Sequence, residues 1–426
     1  MCVPTEERGL GARRPRSALL LGSASLSASA LVAALGGGIF WATAARLADQ
    51  RVTGQAAAIA NALTLITLLA GLSFLPVVTR FGADTGRVAR SVFNTAAVSA
   101  SISACVMSVA LIVVVVVMHV HQLAMLQHPW GMVVFLIAAV SGAITVLIDV
   151  RLVRARRYRW IIIRSAVVSI AGVALVAMPA GHATPTAMVL VGFSLAALGG
   201  PVIWVLTSWR DTDRFAWSAH GMIGREVARY RRTSFSGAVI GRLGVNCLPL
   251  AVALRVSSEQ NAQFFIAWNI AVVLLLVVQN VDKMLLIQGN AHASGELLVR
   301  QSTMYGTSLA VAGVLAAVIA SPLLPLVYGD RYSSAAPLLR ILSLSLVPAV
   351  FYGIGYSIAC VRHWSRLMVA MPLLLTTSVL VPLGILWPHL SGTKAAAVWV
   401  FGMTVAGGAG VVVIVARRWE PTEVGR

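Results

Sequence analysis

Stretches of about twenty apolar residues, long enough to cross the hydrocarbon core of a bilayer as a helix, recur from one end of the chain to the other. Twelve can be marked, at 18–45, 55–79, 92–118, 131–150, 160–180, 185–208, 233–254, 263–288, 303–327, 337–361, 367–388 and 395–416. The division between the fifth and sixth is the least marked. No polar segment between them is long enough to be a domain of its own. Only 11% of the residues are charged and 58% are hydrophobic, whereas a soluble domain carries about a quarter charged residues. The expected class is an all-α integral membrane protein with twelve transmembrane helices. Prolines inside the spans, such as Pro201, Pro348, Pro372 and Pro382, do not argue against this, because neighbouring helices re-satisfy the backbone groups they free.

The formal charge is +19, which raises nucleic acid as a partner. The distribution of the charge excludes it. With the N-terminus inside, 26 of the 33 Lys and Arg residues fall in the inner segments. Five lie outside (Arg46, Arg51, Arg255, Arg331 and Lys394), and Arg242 and Arg340 fall within spans. That bias orients the chain with both termini cytoplasmic and fits an anionic inner leaflet. The expected location is the cytoplasmic membrane, with the lipid bilayer as partner and no nucleic acid.

"RRPRS" followed by "SASLSASA" imitates an export signal. The apolar run continues to about residue 45, however, and eleven more spans follow, so an uncleaved first helix is expected. Of the four cysteines, Cys2 lies in the N-terminal tail and Cys105, Cys247 and Cys360 in spans. None has ligand spacing, so neither a disulfide framework nor a metal is indicated, and no cofactor is expected. His119 and His121, in an outer loop, have no third ligand nearby in sequence.

The loops are short except for residues 208–232, which divide the chain into a six-helix bundle at 1–207 and a second at 233–426. Within this connector Ile223, Val227 and Tyr230 share one helical face, and Arg225, Arg229 and Arg232 another. A basic amphipathic helix on the inner surface and a solvated basic loop both fit. The segments "RLADQRVTGQAAAIANALTLITLLA" and "LRVSSEQNAQFFIAWNIAVVLLLVV" follow the first and seventh spans. One offset pairs Gln55 with Gln263 and Asn61 with Asn269, as a parallel repeat would.

Two stretches resemble polysaccharide flippases. One is "GGGIFWATAARLADQRVTGQAAAIANALTLITLLAGL". The other is "LLPLVYGDRYSSAAPLLRILSLSLVPAVFYGIGYSIACVRHWSR", where an apolar-Tyr-Gly helix end is followed by Pro-Leu-Leu-Arg-Ile-Leu. The resemblance points to the lipid-linked oligosaccharide branch of the multidrug/oligosaccharidyl-lipid/polysaccharide (MOP) flippase superfamily. It implies two six-helix bundles around a central cleft, a MOP/MATE-like arrangement. It implies a flippase moving a polyprenyl-diphosphate-linked oligosaccharide to the outer leaflet by alternating access, with polysaccharide-assembly proteins as partners. The alternative is a drug or cation antiporter of the same superfamily. A membrane polysaccharide polymerase or ligase is a third reading, opposed by the short outer loops. No GxSxG, P-loop or zinc motif marks an enzyme. The chain departs from the flippase pattern in two places: "GRLGVNCLPLAVALRVSSEQ" has no acidic residue in the seventh span, and "VVQNVDKMLLIQGN" has no proline motif closing the eighth.

Arg242, in the seventh span, is the leading candidate for substrate binding. An ionisable side chain within a span faces a cavity more often than lipid, and a guanidinium pairs two oxygens of an anion while keeping its charge. Pairing with a buried acid or snorkelling to an interface are the other readings. Arg46 is second, with an outer anchor beside Trp41 as its rival reading. Asn246 shares a helix face with Arg242; it, Asn61 and Asn269 could bind substrate or a neighbouring helix. Arg255 and Arg340 read as snorkelling residues. Asp149 and Asp282 lie near inner span ends beside Arg151 and Lys283, which makes salt bridges the expectation for both, with Asp282 also an ion-coupling candidate.

Overall fold

The computed structural model describes residues 34–72, 74, 78, 87–154, 157–177, 198–202, 205, 239–289, 295–362 and 364–416. The connector 208–232 and its amphipathic pattern lie outside them. Among the described residues the chain is helical throughout: α1 (34–47), α2 (Gln50–Leu72), α3 (Arg87–Val117), α4 (Pro129–Arg154), α5 (Tyr158–Ala177), α6 (239–255), α7 (Ser258–Gly289), α8 (Gly295–Ala320), α9 (Ala335–Ser343), α10 (Leu346–Val361), α11 (Ser365–Ile385) and α12 (Gly392–Ala416). Nine segments among the described residues are long and apolar enough to cross a membrane. The chain is a multi-pass integral membrane protein.

Helix starts follow from short polar residues placed between apolar runs. Asp49 caps α2: its carbonyl accepts from the Thr53 N–H at 3.0 Å and its Oδ1 from the Gln50 N–H at 2.7 Å. Ser257 does the same for α7, with its carbonyl accepting from Asn261 N–H and its Oγ from Gln260 N–H. Such caps satisfy amide groups that the first helical turn leaves unpaired. The offset that pairs Gln55 with Gln263 also pairs these two caps. Several helices begin earlier than the apolar runs suggest, α2 at Gln50 and α7 at Ser258, because the caps and not hydropathy set the ends.

The span Ala335–Val361 is not one continuous helix. α9 ends at Ser343 and α10 begins at Leu346. Pro348 has no N–H to donate to the Leu344 carbonyl four residues earlier and its ring crowds that carbonyl, so the helix breaks there. The Ser345 hydroxyl bridges the break, donating to Leu342 O at 2.7 Å and accepting from Trp399 Nε1 at 3.0 Å.

Burial separates central helices from peripheral ones. α2 and α7 pack against each other, and both are largely buried. α3, α5 and α8 turn most of their apolar surface outward, α3 through Val98, Ile102, Val106, Val109 and Val113, as a lipid-facing helix does. The buried apolar residues form two clusters. Phe40, Trp41, Ala44 and Ala45 of α1 belong to the cluster built mainly by α7–α12. α6 lies between the two: its Leu248 and Val252 belong to that first cluster, and its Ala253, with Leu250 and Leu254 against it, to the cluster built by α2–α5.

Candidate functional site

Two regions carry the polar residues singled out in the sequence. The first is a seam at the end of the bundle holding the α1–α2, α3–α4, α6–α7 and α8–α9 loops. Here α2 and α7 come so close that a Cβ on Gly54 would sit 1.7 Å from the Ser258 carbonyl oxygen. Asn261 Nδ2, fully buried, donates to Gly54 O at 2.7 Å. Asn61 Nδ2 donates to Pro249 O at 3.4 Å. Gln122 Nε2, in the turn after α3, donates to Val256 O at 3.2 Å.

Arg46 belongs to this seam. Its Nε donates to Val327 O at 2.8 Å and its Nη2 to Leu326 O, in the short helical turn Leu324–Tyr328 after α8. Those carbonyls sit at a helix end, where unpaired C=O groups attract a cation. Nearby, Gln50 Nε2 and Gln263 Nε2 both donate to Arg331 O, at 3.1 and 3.4 Å. Arg331 itself pairs with Asp49 at 3.5 Å across the seam. Tyr332 is fully buried between them. Burial pushes its hydroxyl up from the ordinary tyrosine range; neighbouring Thr53 and Arg331 oppose this less strongly, and Asp49 adds to it. Thr53 stands beside that hydroxyl without forming a hydrogen bond of good geometry.

The second region lies along α6 toward its N-terminal end. Gly241 and Gly244 press α6 onto α11: a Cβ on Gly241 would meet Pro372 at 3.3 Å, and one on Gly244 would meet Thr376 Oγ1 at 2.9 Å. Thr376 Oγ1 donates to Ile240 O at 2.5 Å. With that face fixed, helical geometry turns Arg242 and Asn246 away from α11. Arg242 is exposed. Asn246 Nδ2 donates to Arg242 O at 2.8 Å, which fixes its side chain along α6.

The structure thus brings Arg242 and Asn246 together on one helix face. It places Arg46 and Asn61 elsewhere, in the seam. Asn269 is half-buried on α7, and its Nδ2 has no hydrogen-bond partner. Asp282 falls in α7, but its side chain lies outside the described residues. Asp149 pairs with Arg164 at 2.8 Å, not with Arg151 as its position in sequence suggests. The reason is reach: α4 and α5 lie side by side, and Arg164 faces Asp149 across them, whereas Arg151 extends over the Phe93 ring at 5.1 Å. Arg255 donates to Trp387 O and Pro388 O at 3.0 and 2.7 Å, and Arg340 to Ser321 Oγ at 2.7 Å; both hold loops. Among the described residues no group of His, Cys, Asp and Glu could hold a metal. Asn261, Gln122 and the Tyr352–Tyr356 pair were not singled out in the sequence. The one sign of the tyrosines was their spacing of four residues.

The fold is similar to that of solved MATE-type transporters of the MOP superfamily. The chain is similar to an inward-facing multidrug resistance MATE family transporter of the MOP superfamily, at 14% identity and TM-score 0.64, over 89% of this chain and 96% of the other. It is similar to the Vibrio cholerae MATE transporter VcmN at 13% identity and TM-score 0.61, over 95% and 97%. A third is a MOP superfamily transporter from Pyrococcus furiosus, whose binding pocket of reversed polarity suggests a different function, at 13% and 0.59, over 95% and 96%. No family model matches the chain, and no curated protein matches it. These likenesses correct the polysaccharide-flippase assignment. That assignment rested on two short motifs, whereas the MATE-type likeness spans nearly the whole chain. What these proteins share with the chain is the fold.

Proposed function

We propose that the protein is a secondary transporter of the cytoplasmic membrane that moves an anionic organic solute outward by alternating access. The observation that carries this reading is Arg242. A guanidinium in a membrane helix is costly, at least about 2.5–3.5 kcal/mol at the helix centre on insertion scales. Arg242 lies in the apolar span 233–254 and is exposed, and among the described residues no carboxylate pairs with it. A charge kept there without an ion-pair partner suits an anion that comes and goes.

Two bundles, at 1–207 and 233–426, fit the two buried clusters, with α1 packed into the one built mainly by α7–α12 and α6 lying between them. Charge bias puts the seam outside. On that orientation the outer end is closed by Arg46, Asn61, Gln122 and Asn261, while Arg242 and Asn246 face a space reached from the inside. A drug antiporter specific for cations is the second reading, favoured by the multidrug transporters among the similar structures. It calls for a carboxylate in the cleft. Of the acids in spans whose side chains are described, Asp149 is engaged by Arg164, and Glu259 lies in the first turn of α7 at the seam.

Everted vesicles containing the protein decide between the two. Uptake of carboxyfluorescein driven by an ion gradient, lost in Arg242→Gln at equal protein level, is the expected result. Ethidium uptake that is indifferent to Arg242→Gln would overturn the anion reading in favour of the cation antiporter.

A further inference from the structure

We propose that the segment Leu324–Tyr332 is a strap that locks residues 1–207 to residues 233–426 at the outer end and opens in each transport cycle. This deepens the alternating-access reading and rests on it.

The strap follows from two prolines and a glycine. Pro322 and Pro325 have no N–H to donate, and here α8 gives way to a 3-10 turn, Ser321–Leu323, and a five-residue helix, Leu324–Tyr328. Gly329, at φ +99° and ψ 157°, ends that helix in a backbone that residues other than glycine rarely adopt. The chain then folds back into a second 3-10 turn, Asp330–Tyr332. Helix ends leave carbonyls without amide partners, and those of Leu326, Val327 and Arg331 are taken by side chains. Leu323 and Leu326 are exposed and continue the outward stripe of Leu315 and Ile319 on α8.

The contacts that cross to this segment come from the end of α1 and the start of α2. Arg46 donates to Val327 O at 2.8 Å and to Leu326 O, Gln50 Nε2 donates to Arg331 O at 3.1 Å, and Asp49 pairs with Arg331 at 3.5 Å. Gln263 of α7 donates to the same Arg331 carbonyl at 3.4 Å. One carbonyl thus ties α2 to α7, and the two helices cannot separate there unless a glutamine leaves it. Arg255 provides the contrast. It stands at the end of α6 as Arg46 does at the end of α1, and it uses the same two nitrogens, Nε and Nη2, on the neighbouring carbonyls of Trp387 and Pro388. Those partners lie in its own half of the chain, so its bonds survive any movement of one half against the other. The bonds of Arg46, Asp49 and Gln50 do not. They are made at exposed positions, where ion pairs are weak enough to part.

The test uses the full chain in right-side-out membrane vesicles, without the native cysteines and with one cysteine at Ala57, which is fully buried. Labelling from outside by an impermeant maleimide reads the opening and needs no substrate. Arg331→Asp should raise it about twofold to fivefold, the range of a lost exposed ion pair. Adding Asp49→Arg should bring it back toward the wild type. Gly329→Ala, whose Cβ meets nothing within 4 Å, strains the backbone alone and should raise labelling about fivefold. Arg255→Ala should lower the melting temperature and leave labelling unchanged. Labelling unmoved by both Arg331→Asp and Gly329→Ala, or raised as much by Arg255→Ala, would overturn the strap. Everted vesicles that take up no carboxyfluorescein, beside the expected labelling pattern, would defeat the transport reading and leave the strap standing.

Discussion

Arg46 Nε donates at 2.8 Å to the carbonyl oxygen of Val327, a residue 281 positions away in sequence. With Nη2 on Leu326 O, one side chain ties the end of α1 to the turn after α8. Gln122 makes the corresponding link the other way, from the turn after α3 to Val256 at the end of α6. The ends of α1 and α6 are therefore each held by a side-chain link to a segment distant in sequence. The proposed alternating access would break these links each cycle, so they should be strong enough to seal and weak enough to part.

Arg46→Ala should consequently loosen the outer end without unfolding the protein. It removes two charge-assisted bonds, worth about 1.5–3 kcal/mol each where buried and less at this exposed rim. The check is a cysteine at Ala57, fully buried in the α2–α7 contact, in a background lacking the native cysteines. Labelling from outside by an impermeant maleimide should rise roughly tenfold in Arg46→Ala, a population shift of about 1.4 kcal/mol. Unchanged labelling would remove Arg46 from any gating role.

Gly54→Leu tests the seam itself. A Cβ there lands 1.7 Å from backbone oxygen at Ser258, and backbone cannot swing aside as a side chain can. The two helices must separate, breaking the Asn261–Gly54 bond. Overpacking of this kind costs typically about 1–3 kcal/mol, and an unpaired buried amide adds about 1–3 more. A melting temperature in detergent equal to the wild type's would contradict the close approach.

The sequence revealed this seam only in part. That the chain is built of apolar membrane helices was legible because hydropathy is read by the bilayer residue by residue; where α2 and α7 begin was not, because Asp49 and Ser257 set those ends. The partners of Arg46 could not be read, since they are backbone carbonyls, which look alike in every sequence. Asp149 misled for a related reason: sequence proximity favoured Arg151, while the packing of α4 on α5 brought Arg164 to it. Arg242 was legible as a charge within an apolar span, but the fixed contact of its helix with α11 through Gly241 and Gly244 was not, since a glycine shows no partner in sequence.

The Asp149–Arg164 pair should be structural. Both charges are within the bundle, with side chains 34% and 14% exposed, and removal of one leaves the other without its counterion. Asp149→Ala should lower thermal stability clearly, and Asp149→Ala with Arg164→Leu should recover much of the loss, since replacing both partners is tolerated better than breaking the pair. The measurement is a double-mutant cycle of melting temperatures. If the double variant is less stable than Asp149→Ala by the full effect of Arg164→Leu alone, the two residues are uncoupled and the pair has no structural role.

Tyr332 gives the seam a dependence on alkaline pH. Burial raises its hydroxyl above the ordinary tyrosine value of about 10, so the folded protein holds the phenol neutral where the unfolded chain would release its proton. A raised folded value means that the stabilisation is complete below the unfolded value and is lost as pH climbs through the folded one. Between neutral pH and about 9, then, Tyr332 should contribute no slope. Above about 10 the wild type should lose stability more steeply than Tyr332→Phe, which has no proton to release. At neutral pH the phenylalanine variant should be as stable as the wild type or slightly more so, because the buried hydroxyl it deletes has no hydrogen-bond partner of good geometry. Chemical denaturation of the two proteins from pH 7 to pH 11 makes the comparison. Parallel curves above pH 10 would show that the hydroxyl is not held neutral in the folded seam.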